Sequence, residues 1–167
     1  ANVLTADLWT EFESVLDSLA GGTALEGLVL ASAKPGIFIA GADLNELGAL
    51  IDATREQCQT AITAGHELFS RVSRLPFPTV ALVDGNSMGG GTELILSMDY
   101  RIASTNPATK IALPETKIGL IPGWGGTQRM TRAVGVHHAI DIICGGEAVG
   151  PAKSVQIGLC FAAVPAA

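Results

Sequence analysis

Between Asp7 and Leu19 the apolar residues Leu8, Trp9, Phe12, Val15, Leu16 and Leu19 recur at helical spacing, and Gly21-Gly22 supplies a stop. That pattern predicts an amphipathic helix with Trp9 and Phe12 in its core stripe. The run from Gly27 to Ala33 is short and apolar and closes on Lys34-Pro35-Gly36, which predicts a buried strand entering a turn. A longer helix is expected from Arg55 to about Ser73. Thr54 and Gln57 have capping-box spacing at its start, and Ile62, Phe69 and Val72 share a face. Pro76 and Pro78 end that helix and lead into a strand from Thr79 to Val83. Glycines then open a helix from Gly90 to about Met98, and Tyr100 to Ser104 and Lys110 to Leu113 read as further strands. Helical stretches are expected near Thr127 to Val134, His137 to Cys144 and Pro151 to Ile157, before a last apolar run from Leu159 to Val164. Strands alternating with helices predict an α/β layered fold. No sequence repeat, linker or low-complexity segment divides residues 1–167, so one domain is expected.

Composition narrows the function. The 167 residues are 48% hydrophobic and 16% charged, enough for one hydrophobic core and against disorder. A formal charge of -6 with no basic cluster argues against nucleic acid as a partner. No apolar run approaches the roughly 18 residues of a membrane span, so no membrane partner is expected. Cys58, Cys144 and Cys160 are scattered and odd in number, which indicates neither a disulfide framework nor a zinc site and fits a reducing cytoplasm. No metal site is expected.

Candidate chemistry lies in the glycines. Met88-Gly89-Gly90-Gly91-Thr92-Glu93 is placed where the strand from Thr79 gives way to a helix, and bare amides at a helix start form an anion site. Glu93 falls in the first turn of that helix. Glu115 follows Pro114 at the end of another strand-like run, and Gly123-Trp124-Gly125-Gly126-Thr127-Gln128 comes after it. Two carboxylates beside an oxyanion site point to acid/base chemistry on a carbonyl compound. A second anion-binding turn is expected at Phe38-Ile39-Ala40-Gly41-Ala42-Asp43, which runs through small residues into a short helix. Asp43 and Glu46 have the spacing of a helix cap, and capping is the reading preferred for Asp43 over catalysis. His66, His137 and His138 lack a companion nucleophile or ligand spacing and are read as surface or packing residues. Trp124, wedged in a glycine turn, is read as pocket lining.

Taken in order, Ala40-Gly41-Ala42-Asp43-Leu44, Asp84-Gly85 with Gly89-Gly90-Gly91-Thr92-Glu93-Leu94, Leu113-Pro114-Glu115, Gly119-Leu120-Ile121-Pro122-Gly123 and Gly126-Thr127-Gln128-Arg129 resemble the enoyl-CoA hydratase/isomerase (crotonase) superfamily. The wording around Asp99-Tyr100-Arg101-Ile102-Ala103 is most similar to the hydratase domain of multifunctional fatty-acid oxidation alpha subunits. The resemblance runs from about Asn2 to the end. It implies a crotonase-like spiral of repeated ββα units, lacking at its ends the family's usual N-terminal strands and C-terminal trimerisation helices.

The activity implied is hydration of trans-2-enoyl-CoA to 3-hydroxyacyl-CoA, a lyase reaction. Carried over by position, Ala42 and Gly90 donate backbone amides to the thioester oxygen, and Glu93 and Glu115 grip one water. Glu93 takes its proton and Glu115 delivers one to C2, with the reverse or concerted assignment open. Gly123 helps place the water through its backbone. Ala40, Gly41, Asp43, Gly91, Pro114 and Trp124 complete the substrate-binding set, with Gly36 to Ala42 beside the adenine and pantetheine and Lys34 nearest a CoA phosphate. Coenzyme A enters as part of the substrate, so no separate cofactor and no NAD site are expected. Implied partners are an acyl-CoA thioester and either a homotrimer or hexamer or a multifunctional β-oxidation complex. The alternatives are a double-bond isomerase, which manages with one carboxylate, and a non-catalytic acyl-CoA-binding module.

Overall fold

A computed structural model of the chain describes residues 1–20, 25–49 and 52–166. Helix α1 (Ala6–Ala20) is followed by strands β1 (Leu28–Ala31) and β2 (Ile37–Ile39) and by helices α2 (Leu44–Ala49) and α3 (Arg55–Val72). The next unit is β3 (Thr79–Val83), β4 (Asn86–Met88) and α4 (Gly90–Leu96). A third unit holds β5 (Tyr100–Ser104), β6 (Lys110–Ala112), a 3-10 turn (Glu115–Ile118), α5 (Gly126–Ile143) and α6 (Pro151–Gln156), and β7 (Ala162–Val164) comes last.

The first strand of each pair joins one parallel sheet, in the order β1-β3-β5-β7, and the second strand joins another, β2-β4-β6. The chain therefore winds as a spiral of ββα units. Its tight turns stack: the Asn86 N–H donates to Gly36 O at 3.2 Å. Gly85 has φ +95°, and a Cβ there would lie 2.0 Å from the Gly36 carbonyl carbon, so only glycine fits.

Thr54 and Gln57 complete both halves of the expected capping box, at 3.3 Å and 2.8 Å. The helices from Thr127 and His137 are joined in α5 by a break at Gly135 (φ 77°, ψ 163°). Leu16, Phe38, Leu68, Phe69, Ile95, Ile111, Leu113, Met130, Ile142 and Leu159 are fully buried between helices and sheets. Trp9, Phe12 and Trp124 pack against them.

Several expectations are corrected. Val15 is 49% exposed because it sits at the margin of the α1 stripe, and Ile62 is 45% exposed because the buried face of α3 begins only at Gly65. β1 is not a buried strand: it alternates half-buried with exposed, and Val29 lies open, because it forms an edge of the four-stranded sheet. The glycine run does not follow β3 directly, since β4 intervenes in the other sheet. The proposed stop at Gly21-Gly22 lies outside the described residues.

Candidate active site

Parallel strands end on the same side, and in β2-β4-β6 that edge gathers three segments far apart in sequence. Ala40-Gly41-Ala42 follows β2, Gly89-Gly90 follows β4, and Leu113-Pro114-Glu115 follows β6. The segments touch through backbone. The Gly89 N–H donates to Ala112 O at 3.0 Å, a Cβ on Gly41 (φ +111°) would come within 3.3 Å of Met88 O, and one on Gly91 would lie 2.6 Å from Ile39 Cβ. Gly91 thus serves close helix–strand packing.

The amino-terminal segment runs beside the first turn and uses alternate backbone groups. Ala40 N–H donates to Asn2 O, Leu4 N–H to Gly41 O and Asp43 N–H to Leu4 O. Among the described residues, neither the Ala42 N–H nor the Gly90 N–H meets an acceptor. Gly90 is the first residue of α4, where an amide has no partner within the helix. Asp43 Oδ1 accepts from Asn45 and Glu46 N–H at 2.7 and 3.2 Å, which caps α2. Glu46 does not complete the box; its carboxylate accepts the Ala6 N–H instead, at 3.2 Å.

Glu93 is 1% exposed in the first turn of α4. Its Oε1 accepts the Trp124 and Gly126 N–H groups, each at 2.8 Å. Burial pushes its carboxyl above the ordinary value, opposed by those two bonds and by the Arg129 charge. Glu115 opens the 3-10 turn, with Oε1 against Gly89, where a Cβ would sit 3.1 Å away. Among the described residues its buried Oε2 has no hydrogen-bond partner. Burial raises its pKa to about 7; its own backbone N–H opposes that and the Glu93 charge adds to it. The two carboxyls feel each other but stand in different surroundings, one held on two amides and the other with an orphaned oxygen.

The Trp124 side chain lies between α3 and α4. A Cβ would fall 2.2 Å from its Cδ1 on Gly65 and 2.5 Å from its Cζ3 on Gly90. It meets Trp9 and Phe69 edge-on at ring distances of 5.0 and 5.9 Å. It also lines a cavity of about 300 Å³ with Leu4, Trp9, Ala42, Leu47 and Ala61. A larger cavity of about 470 Å³ is bordered by Asn2, Leu8, Phe12 and Lys34, and neither Glu93 nor Glu115 lines either cavity. Gly123 faces open space. Pro114 precedes the 3-10 turn, and Lys34 Nζ donates to Ala1 O at 3.2 Å on the exposed surface. His137 and His138 lie on α5 beyond its break, whereas His66 approaches Gly125. Sequence reasoning did not single out Gly65 or assign a task to Arg129, whose position in the glycine-rich motif was the available signal.

Among the described residues, no group of three or more His, Cys, Asp or Glu side chains is placed to hold a metal, and no helix is long and apolar enough to cross a membrane.

The family model for enoyl-CoA hydratase/isomerase matches residues 1–167. The chain belongs to the enoyl-CoA hydratase/isomerase family. Similar proteins include the fatty acid oxidation complex subunit alpha of Aliivibrio fischeri, 41% identical over 165 residues, which span 98% of this chain and 24% of the relative. The corresponding subunit of Shewanella halifaxensis is 39% identical over 170 residues, covering 98% of this chain and 23% of the relative. This family member therefore spans about a quarter of the length of the curated relatives it matches. Among solved structures, an enoyl-CoA hydratase from Bacillus anthracis is similar at 33% identity and a TM-score of 0.87, over 98% of this chain and 61% of that one. DspI of Pseudomonas aeruginosa is similar at 30% identity and a TM-score of 0.90, over 99% and 66%. The spiral of ββα units is the crotonase fold.

Proposed function

We propose that this chain hydrates trans-2-enoyl-CoA to 3-hydroxyacyl-CoA. The observation that carries the reading is the unequal pair of carboxyls: Glu93 fixed by two amides, and Glu115 with Oε2 unpartnered among the described residues and its pKa pushed by burial up to about 7. Near neutral pH such a pair supplies a base and an acid. Glu93 accepts a proton from water as hydroxide adds at C3. Negative charge moves to the thioester oxygen, which receives hydrogen bonds from the Ala42 and Gly90 amides. Glu115 then protonates C2. One oxyanion donor of this kind lowers the barrier by about 3 kcal/mol.

Coenzyme A is part of the substrate in this reading. Gly36 to Ala42 would accompany its pantetheine arm, the cavity beside Ala42 and Trp124 would take the acyl tail, and the backbone of Gly123 would help place the water. The named relatives support a place in a fatty-acid oxidation complex. The competing assembly is a homotrimer or hexamer. The test is loss of the conjugated-enone absorbance of crotonyl-CoA on adding the full-length protein. Turnover of a 3-enoyl-CoA to the 2-enoyl isomer without hydration would make the protein an isomerase, and binding without either reaction would make it an acyl-CoA-binding module.

A further inference from the structure

Between the two amides that hold Glu93 lies Gly125, with φ 103° and ψ 5°. A glycine in that conformation lets the flanking peptide planes rotate at little steric cost. The Trp124 carbonyl belongs to the peptide between the two donors. Arg129, in the first turn of α5, folds back over this hinge, and its Nη1 donates to Trp124 O at 2.8 Å. A Cβ on Gly125 would lie 2.3 Å from that nitrogen, so the guanidinium fills the space a side chain would need. The Arg129 backbone N–H closes the same turn on Gly125 O at 2.9 Å.

We infer that Arg129 is a positioning residue for Glu93: by holding the Trp124 carbonyl it locks the Gly125 hinge, so that the Trp124 and Gly126 amides stay on Glu93 Oε1. This rests on the proposed role of Glu93 as the base. The guanidinium acts twice, through the hydrogen bond and through its charge, which favours the ionised carboxylate. The groups facing Glu93 are Arg129 from α5 and Glu115 from the 3-10 turn. Those facing Arg129 are Glu93, Arg132 on the same helix, and His66 of α3, whose Cε1 would lie 3.7 Å from a Cβ on Gly125.

The test compares Arg129→Met, Arg129→Gln and Arg129→Lys in the full-length protein, with two readouts. The first is the titration midpoint of the Glu93 carboxyl, followed by carbon-13 NMR in a Glu115→Gln background so that one carboxyl titrates alone. The second is kcat and KM for crotonyl-CoA hydration with Glu115 intact. Arg129→Met should move the Glu93 midpoint upward, since the charge that lowers it is removed. It should also lower kcat about tenfold or more with KM little changed, because a misplaced base costs the transition state more than the ground state. Arg129→Lys should return the midpoint toward its original value. Arg129→Gln, a donor without charge, should recover part of kcat but not the midpoint.

A midpoint and kcat both unmoved in Arg129→Met would overturn the inference and reduce Arg129 to packing. If that variant does not fold, Arg129→Lys and Arg129→Gln decide: a midpoint shifted in Gln and retained in Lys supports it, and wild-type values of both readouts in both variants overturn it. If no variant, nor the parent, turns over crotonyl-CoA, the hydratase reading fails, and hydrogen exchange of the Trp124 and Gly126 amides decides the positioning role: faster exchange in Arg129→Met supports it and unchanged exchange overturns it.

Discussion

Trp124 occupies the space that a side chain on Gly65 would need, with its Cδ1 only 2.2 Å from where that Cβ would stand. The small helical residue and the large loop residue therefore form one packing unit. Gly65→Ala should destabilise the protein by about 1–3 kcal/mol despite the better helix propensity of alanine. Most of that cost should vanish in the Trp124→Ala background, because the overlap is then gone. Urea unfolding of the two single variants and the double variant measures the coupling. Equal costs of Gly65→Ala in both backgrounds would dissolve the unit.

Trp124 also borders the cavity next to Ala42. Its replacement by alanine should extend the acyl chains accepted toward longer ones. Relative kcat/KM across a series of enoyl-CoAs is the measurement, and an unchanged profile would leave Trp124 to packing alone.

Removing either carboxyl should stop the chemistry and spare binding. Glu93→Gln and Glu115→Gln are each expected to lower hydration by about 10² to 10⁴ fold, the range for a positioned acid or base, with little change in acyl-CoA affinity. Near-normal turnover in either variant would end the two-carboxyl mechanism.

Glu115 ties activity to stability through pH. Its folded pKa of about 7 stands above the ordinary 4.5, so the folded state binds more protons than the unfolded state between those values. Stability should therefore fall as pH rises through that window and level off above it. Glu115→Gln should match the parent near pH 4.5 and exceed it above pH 7 by about 1–2 kcal/mol after allowance for solvent screening. Thermal or urea melts across pH check this. In the parent, kcat/KM should decline above about pH 7 as Glu115 loses the proton it donates.

The amide of Ala42 offers a separation of function from stability. Replacing residue 42 by its hydroxy-acid analogue turns that N–H into an ester oxygen, and no protein acceptor is lost among the described residues. Hydration should fall about 10² to 10³ fold, as for loss of one oxyanion donor, with only the small loss of stability that comes from the weaker ester carbonyl of Gly41 accepting the Leu4 N–H. Wild-type turnover in the ester would remove Ala42 from the oxyanion site.

The long helices were legible because their apolar residues repeat at the helical period over many turns: α1 and α3 fall within a residue or so of their expected bounds, and Thr54 and Gln57 cap as their spacing implies. β3 was legible too, as an apolar run from Val80 to Val83 entered through Pro76 and Pro78. β2 and β4, at three residues each, are too short to show any period, and Asn86-Ser87-Met88 is not apolar enough to announce a strand. They exist because neighbouring strands supply their hydrogen bonds. Val15 and Ile62 failed for the opposite reason: each matches a local period, but the breadth of a buried face is set by what packs over it.

By itself the sequence determined the α/β alternation, the glycine turns with Glu93 and Glu115 as candidates, and the motifs whose resemblance to a family brings in Ala42 and Gly90, since residue type and near-neighbour spacing are local information. Only the tertiary structure decided that β2, β4 and β6 end side by side, placing those residues at one edge. It also decided that the Trp124 and Gly126 amides fall on Glu93, that Arg129 braces the turn between them, and that Glu115 Oε2 is left without a partner. Burial, and the pKa it shifts, depends on atoms brought in from distant parts of the chain, and these converge only when the parallel strands pair.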